Sequence, residues 1–415
     1  MALTIFYIII GILVFDYLLE RLLQYLNSRL WSNELPVELQ GIYDAEKYRK
    51  SQDYTKVNTR FSIYSDTVSF IAIMLMLFLG GFAFLDELVR GISEHPVVMA
   101  LLFFGLLGLA SEILGLPFSI YGTFVIEERF GFNRTSVKTF ILDKIKGLFL
   151  ASLIGGGLLA LVIWIYQVSG AWFWVITWGV ITTFTLFMFM FYSNLIVPLF
   201  NKQKPLEEGE LREAIETFSN KVGFKLKNIY VIDSSKRSTK GNAYFTGIGP
   251  KKRIVLYDTL IADHSTRELV AVLAHEIGHY KKKHTLMGVV QSILSTGLML
   301  FILSLFINKP MMSEVLGASS PSFHMGLITF ALLYSPISMV LDMASHNLSR
   351  RNEYVADRYA GIHYSASALS EALIKLSVNN LSNLRPHPAY VFFYYSHPPL
   401  LKRLEALGNI EQRNQ

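Results

Sequence analysis

A short histidine-rich pattern is the stretch of this sequence best suited to chemistry. Residues 270–284 contain the pattern H-E-x-x-H, formed by His275, Glu276 and His279. Positions i and i+4 share a helix face, so both imidazoles can bind one cation. Two imidazoles, a carboxylate and an open position suit Zn²⁺, which activates water and polarises a carbonyl when bound. Glu276 is placed to deprotonate the attacking water, although the pattern alone also fits two histidines on an ordinary amphipathic helix.

A third metal ligand has to come from another part of the chain. The sequence has no cysteine, so the ligands are drawn from His, Asp and Glu. Glu353 is the predicted third ligand, and Asp357 follows one helical turn later, where it can accept an N–H from a ligand histidine. The alternative is a charged helix start in which both carboxylates pair with neighbouring arginines. His284 is a ligand only if Glu353 is not, and His346 is held in reserve.

Another histidine lies close to the C-terminus. His397 precedes two prolines, which keep the local backbone stiff and non-helical. An imidazole presented rigidly beside a metal can stabilise an oxyanion, and Arg403 can orient nearby carboxylates. A plain turn residue is the alternative interpretation of His397.

Composition indicates that these residues belong to a membrane protein. Of the 415 residues, 52% are hydrophobic and 17% are charged, whereas globular proteins average about 25% charged residues. The net charge of +6 does not require a nucleic-acid partner, because membrane proteins concentrate Lys and Arg in cytosolic loops. We therefore expect the lipid bilayer, and no nucleic acid, as a partner. The N-terminus lacks the features of a cleavable signal peptide.

Seven stretches of roughly 20 apolar residues predict seven membrane-spanning helices. Carboxylates at Glu112 and Asp342 lie within two of these stretches, and Asp16 and Glu20 lie near the end of the first. For Glu112, a polar interior and a hydrogen bond to a neighbouring helix are both open interpretations. The predicted spans are roughly 3–25, 67–88, 97–125, 142–167, 171–199, 285–308 and 323–346.

The loops between these spans alternate in charge. Loop 27–66 carries six Lys or Arg residues, loop 126–146 carries five, loop 200–284 carries sixteen, and the tail after 346 carries eight. The intervening loops carry one or none. The excess of positive charge on the cytosolic side of membrane proteins places the N-terminus outside and the C-terminus, with the metal pattern, in the cytosol.

The loop 200–284 is long enough to form a small α+β domain. An amphipathic helix over 206–222 precedes β-like runs at 228–233, 241–247 and 252–257, with a turn at Gly249–Pro250. Asp263 or Ser265 then caps the metal-binding helix. We expect a short antiparallel sheet with an edge strand that can pair with an extended peptide. The predicted organisation is therefore membrane helices in 1–199, this domain in 200–284, two more spans in 285–346 and a cytosolic region in 347–415.

Taken together, these motifs resemble the type I CAAX prenyl proteases, which are integral-membrane zinc metallopeptidases. The resemblance runs nearly end to end. It rests on 35–54, 124–133, 198–207, Asn242-Ala243-Tyr244, the pattern at 275–279, Glu353 to Asp357 and His397-Pro398-Pro399.

The resemblance implies seven transmembrane helices that enclose a water-filled chamber, with one Zn²⁺ per chain at its cytosolic end. The implied roles are metal ligation by His275, His279 and Glu353, general-base catalysis by Glu276, and binding of substrate and transition state by Asn242 and His397. The implied activity is removal of the last three residues of a prenylated C-a-a-X protein, and the peptide is expected to lie along Asn242, Ala243 and Tyr244.

Two other functions fit parts of the sequence. The same active site would serve a quality-control protease that clips membrane-protein segments without a prenyl group. Seven helices with carboxylates inside also fit a transporter-like scaffold, although the ligand set on one membrane side argues against it. The expected location is a bacterial inner membrane or the endoplasmic reticulum membrane, and nothing in the sequence specifies an oligomer.

Overall fold

The protein is mostly helical, with one small sheet. The computed structural model describes residues 1–37, 40, 43–224, 229–247 and 253–414. The predicted turn at Gly249–Pro250 lies outside the described residues. The helices are α1 (Ala2–Ser28), α2 (Ala45–Phe78), α3 (Gly81–Ile92), α4 (Pro96–Tyr121), α5 (Glu128–Phe130), α6 (Val137–Leu150), α7 (Gly156–Ser169), α8 (Phe173–Leu195), α9 (Val197–Phe200), α10 (Glu210–Lys221), α11 (Asp258–Asp263), α12 (Thr266–Lys281), α13 (His284–Phe306), α14 (Met311–Glu314), α15 (Phe323–Ala360), α16 (Ala366–Asn379), α17 (Pro388–Tyr394) and α18 (Leu400–Asn414). The strands are β1 (Gln203–Pro205), β2 (Ile229–Ile232), β3 (Ala243–Thr246) and β4 (Arg253–Tyr257).

Helical segments long and apolar enough to cross a bilayer make up much of the described chain. There are six by length and composition, and at most 17% of the most apolar window of each is buried inside the protein. Apolar side chains that face outward in this way are typical of helices surrounded by lipid. The six segments are Ala2–Ser28, Ala45–Phe78, Pro96–Phe130, Val137–Phe200, His284–Phe306 and Phe323–Asn379.

One of these segments, Val137–Phe200, is too long for a single crossing. Its 64 residues would extend about 96 Å as one helix, roughly three times the hydrocarbon thickness of a bilayer. Gly170 separates α7 from α8 within it, with φ +52° and ψ −124°. Glycine is the residue that tolerates such a backbone conformation, and the two helices pack on one another.

The sheet differs from the predicted antiparallel arrangement. Its strand order is β1-β2-β4-β3, and β2 pairs with β4 in parallel, while the two outer pairings are antiparallel. Because parallel strands need a crossover, β3 lies in the connection between β2 and β4 and takes the far edge. The three-residue strand β1 was missed because it is too short to show an alternating pattern. The β-like run at 241–247 corresponds to β3, which lies at an edge of the sheet.

The sheet and the helices around it pack on one apolar core. Side chains from the sheet and from helices α10, α12, α16 and α18 meet there, and Ile215, Leu256, Leu273 and Leu407 are at most 1% exposed. The helix predicted over 206–222 is shorter, because Gly209 immediately precedes α10. This core fixes α12 against its neighbours and so fixes the residues that α12 carries.

The last long helix connects the membrane region with this core. Helix α15 has 38 residues, about 57 Å, and it runs from apolar sequence into the charged stretch that follows Ser349. Glu353, Ala356 and Asp357 are buried on its distal part. A single rigid element therefore carries both predicted carboxylates to the metal pattern.

Candidate metal centre

Helix α12 begins at a fully formed capping box. The Ser265 hydroxyl accepts a hydrogen bond from the backbone N–H of Glu268, and the Glu268 carboxylate accepts one from the backbone N–H of Ser265. Burial alone would raise the pKa of Glu268, but the Lys375 ammonium 2.8 Å away and the cap hydrogen bonds lower it. Of the two predicted caps, Ser265 is the one the structure uses. The start of α12, and hence the position of its histidines, is fixed by local sequence.

Helices α12 and α15 approach closely at a glycine. A Cβ atom placed on Gly278 would lie 3.1–3.2 Å from atoms of Ala356 and Tyr359, closer than nearly all real Cβ contacts. A larger residue would push the helices apart. Gly278 lies one residue before His279, so the close approach occurs where Glu353 must reach the histidines.

The two histidines and Glu353 form one compact group. The Nε2 atoms of His275 and His279 are 3.0 Å apart. Glu353 places Oε2 3.5 Å from His275 Nε2 and Oε1 3.2 Å from His279 Nε2. Among the described residues, this is the group of three whose ligand atoms all lie within 4.8 Å of one another. The structure thus brings together the three residues that the sequence nominated as ligands.

The group has the dimensions of a zinc site. Ligand bonds of about 2.0–2.1 Å in a tetrahedron put ligand atoms about 3.3 Å apart. The separations of 3.0 Å between the two imidazole nitrogens and 3.2 Å between His279 Nε2 and Glu353 Oε1 are close to this value. Glu353 Oε2 is buried and accepts no hydrogen bond among the described residues, although the Arg403 guanidinium lies 3.3 Å away and offsets its charge. A buried carboxylate oxygen is costly to leave without a hydrogen bond, and a bound cation would satisfy it. The donor set and its geometry therefore fit Zn²⁺.

A carboxylate orients the first histidine. His275 Nδ1 is 2.8 Å from Asp357 Oδ1, which leaves His275 Nε2 free to face the group. Burial alone would lower the pKa of His275, but the hydrogen bond to Asp357 raises it. Arg403, on α18, donates to both Asp357 oxygens at 2.6 and 2.8 Å, and its Nη1 lies 3.3 Å from Glu353 Oε2. The structure thus places Asp357 against His275 and Arg403 against both carboxylates, where the supporting roles predicted for them would be possible.

Glu276 follows His275 directly and is half-buried. Burial raises the pKa of this carboxyl group, and the nearby histidines oppose the change. A carboxyl group with a raised pKa is a better proton acceptor than an ordinary glutamate near neutral pH. Its position beside the group would allow the proton transfer predicted for it.

His397 reaches the same group from the C-terminal loop. Its Nε2 lies 3.4 Å from Glu353 Oε1, and its Nδ1 is 2.9 Å from the Ser396 hydroxyl. The side chain is 64% exposed, so it faces open space on its other side. His397 is therefore close enough to touch a molecule bound at the metal centre.

Comparison with known proteins places the whole chain in one family. Residues 24–202 match the family described as CAAX prenyl protease N-terminal, five membrane helices, and residues 205–411 match peptidase family M48. A CAAX prenyl protease 1 homolog of Oryza sativa is 35% identical over 428 residues, covering 100% of both chains. CAAX prenyl protease 1 of Saccharomyces cerevisiae is 34% identical, covering 98% of this chain and 96% of its own.

The chain belongs to the CAAX prenyl proteases of peptidase family M48. A solved structure, that of S. mikatae Ste24p, superposes with a TM-score of 0.92 at 35% identity and covers 97% of this chain and 99% of its own. The family predicted from the sequence motifs is therefore confirmed, and the fold is that of a multi-pass membrane protease. Membership of this family identifies the chain as a zinc metalloprotease.

In this CAAX prenyl protease, the predicted substrate-binding residues lie outside the group around Glu353. Asn242 precedes β3, where its backbone carbonyl accepts the Tyr257 N–H at 3.1 Å and its Oδ1 accepts the Ala243 N–H at 2.8 Å. Ala243 and Tyr244 pair with β4, and β3 is the sheet edge. The sheet leads through β4 and α11 directly into the metal-binding helix, so the edge strand is rigidly connected to the site.

The loop that carries His397 is held by residues that sequence reasoning did not assign to it. Arg350 donates to the backbone carbonyls of Tyr395 and Val391 at 2.5 and 3.0 Å. His346 Nδ1 lies 2.7 Å from the Phe393 carbonyl. His346, kept in reserve as a ligand, is thus a backbone partner of α17. The signal that could have found these residues is their spacing on α15, one and two turns before Glu353.

Proposed function

We propose that this chain is a zinc metalloendopeptidase of the membrane that removes the C-terminal tripeptide from prenylated C-a-a-X proteins. The observation that supports this most strongly is the compact group of His275, His279 and Glu353, on a chain similar from end to end to CAAX prenyl proteases. These three side chains would hold one Zn²⁺ per chain. When bound, the ion supplies an activated water and a Lewis acid for the scissile carbonyl.

The chain's own residues hold the ligands and move the protons. Asp357 accepts the Nδ1–H of His275 and fixes its tautomer, and Arg403 balances the charge of the two buried carboxylates. Glu276 is the general base that accepts a proton from the attacking water. It then donates this proton to the leaving amine.

His397 and the edge strand bind the substrate. His397 donates from its imidazole to the oxyanion that develops on the scissile carbonyl, a role that its exposed position beside Glu353 supports. The peptide lies extended along Asn242, Ala243 and Tyr244 and pairs with the free edge of β3.

The membrane topology has seven spans. Five are long apolar segments of the fold, and Val137–Phe200 supplies two, divided at Gly170. The charge of the loops puts the N-terminus outside and the metal centre in the cytosol. In a eukaryotic cell the membrane is the endoplasmic reticulum, and in a bacterium it is the inner membrane.

The spans enclose a polar chamber beside the metal centre. Alongside Met299 and Leu341, most of the residues that line a cavity of about 320 Å³ between α13 and α15 are polar, which supports a wet interior at the level of the bilayer. Asp342 is among them, together with Gln291, Ser292, Ser295, Thr296, Ser338 and Ser345.

Cleavage of a farnesylated C-a-a-X peptide by the purified full-length chain tests the proposed function. We expect release of the tripeptide, loss of this activity with a metal chelator, and recovery on adding Zn²⁺. The matched control is the same peptide without the farnesyl group. Equal cleavage of both peptides would favour the quality-control protease, and cleavage of neither by the zinc-loaded protein would contradict both functions.

A further inference from the structure

His279 has contacts at both of its ring nitrogens. Its Nε2 faces the metal centre, 3.0 Å from His275 Nε2 and 3.2 Å from Glu353 Oε1. Its Nδ1, on the opposite side of the ring, lies 3.1 Å from Nδ1 of His284. His284 therefore lies behind His279, on the side away from the metal centre, and its Nδ1 faces the His279 ring.

The roles of donor and acceptor in this contact follow from the proposed function. A neutral imidazole carries one hydrogen, so a lone pair on Nε2 of His279 requires the hydrogen to be on Nδ1. This N–H then donates to Nδ1 of His284, whose own hydrogen is on Nε2. The contact selects the tautomer and the ring orientation of His279 that ligation needs.

The chain uses a strained residue to bring His284 to this position. Helix α12 ends at Lys281, and α13 begins at His284. Between them, Lys283 has φ +60° and ψ +24°, the left-handed region that non-glycine residues rarely adopt. Its N–H bonds to the Tyr280 carbonyl at 2.9 Å, which closes a tight turn. Strained backbone of this kind is maintained where the surrounding structure requires it.

The two ligand histidines differ in the partner behind them. His275 is oriented by Asp357, a carboxylate that Arg403 holds in place. His279 is oriented by a neutral imidazole on the first residue of a helix from the membrane region. A metal-ligating histidine normally has a partner on its second nitrogen, and the structure supplies one for each.

We propose that His284 is a positioning residue that fixes the tautomer and orientation of His279 through an Nδ1-to-Nδ1 hydrogen bond. This inference rests on the proposed function, since it assumes that His279 Nε2 is a metal ligand. It assigns to His284 a supporting role in place of the ligand role that the sequence left open. It also couples the metal centre to the start of α13.

Zinc affinity of the full-length protein, measured by competition with a chelator, tests the hydrogen bond directly. His284→Phe keeps a ring but removes the acceptor, and we expect Zn²⁺ to bind about 10–100-fold more weakly. His284→Asn places a carbonyl oxygen near the former Nδ1 and is expected to restore most of the affinity. The control is His95→Phe, the same substitution at an exposed histidine of the N-terminal half.

The outcomes separate positioning from a merely structural role. Wild-type affinity in His284→Phe would overturn the proposal, and so would an equal loss in His284→Asn and His284→Phe. Should phenylalanine disturb the α12–α13 junction, seen as a lower unfolding temperature of the metal-free protein, His284→Leu provides a second acceptor-free variant. Glu353→Ala tests the proposed function separately, because unchanged zinc binding there would refute the ligand set whatever His284 does.

Discussion

Two buried histidine–carboxylate pairs lie at opposite ends of the helical bundle. At the metal centre, His275 meets Asp357 at 2.8 Å. At the other end, His324 Nε2 meets Asp86 Oδ1 at 2.6 Å, and both side chains are at most 1% exposed. The two pairs are similar in chemistry and burial, so their surroundings must determine what each of them does.

The difference lies in what remains unsatisfied. Asp86 also accepts from Arg90 at 2.8 Å, and the Arg90 guanidinium donates to the Ser320 carbonyl at 3.0 Å. These contacts tie α3 to the start of α15 and leave the carboxylate fully paired. At the metal centre, by contrast, the second nitrogen of His275 faces His279 and Glu353 Oε2. Among the described residues, this oxygen has only an ion pair with Arg403 at 3.3 Å and accepts no hydrogen bond. A saturated pair stabilises the fold, whereas an unsaturated one creates a place for a cation.

At the metal centre, the single substitution with the largest expected effect lowers catalysis and leaves metal binding and the fold unchanged. Glu276→Gln keeps the ligands and the fold but removes the proton acceptor. We expect kcat for a prenylated peptide to fall by roughly 10²–10⁴-fold while Zn²⁺ remains at one per chain. Metal analysis and steady-state kinetics on the same sample measure both quantities. Glu371→Gln, at an exposed carboxylate on α16, is the control, and wild-type turnover in Glu276→Gln would contradict the general-base assignment.

At the opposite end, the corresponding change is expected to affect stability alone. Asp86→Ala leaves His324 and Arg90 without their shared partner, and breaking such a buried pair costs about 3–5 kcal/mol. We expect a clearly lower unfolding temperature, with kcat/KM per folded molecule within twofold of wild type. Glu87→Ala, the exposed neighbour on α3, is the control. A large loss of kcat/KM in folded Asp86→Ala would mean that this end also takes part in function.

Local sequence periodicity identified candidate residues for the metal centre, and the resemblance to a known family decided between them and the alternatives. His275 and His279 share a helix face, and so do Glu353 and Asp357, because each pair is four residues apart on a helix. The Ser265 cap was predictable for the same reason, since the Glu268 that completes it lies only three residues away. Interactions that depend on short spacing within one element can be inferred from the chain alone.

The features that sequence analysis missed depend on contacts between distant segments or on a single dihedral angle. The parallel pairing of β2 with β4 requires β3 to cross to the far edge, and no local pattern encodes that choice. Arg350 meets the backbone of Tyr395, 45 residues away. His284 reaches His279 only because Lys283 has a positive φ, which the lysine itself does not indicate.

The smallest predicted effect concerns Lys283, which differs in residue type from the positions of equivalent backbone conformation at the other end of the molecule. In the connections α2–α3, α7–α8 and α14–α15, at the end away from the metal centre, the left-handed positions are the glycines Gly80, Gly170 and Gly317. Lys283, beside the metal centre, is not a glycine. Lys283→Gly should therefore relieve strain and stabilise the protein by about 0.5–1 kcal/mol, seen as a modest rise in unfolding temperature.

The neighbouring lysine provides a matched control for this effect. Lys282 has φ −86° and ψ +3°, which any residue adopts, so Lys282→Gly should destabilise the protein slightly by adding freedom to the unfolded chain. Opposite signs for the two substitutions would show that the strain resides at Lys283. Destabilisation by both would mean that the turn is not strained, and that His284 is held against His279 by its own contacts rather than by the backbone before it.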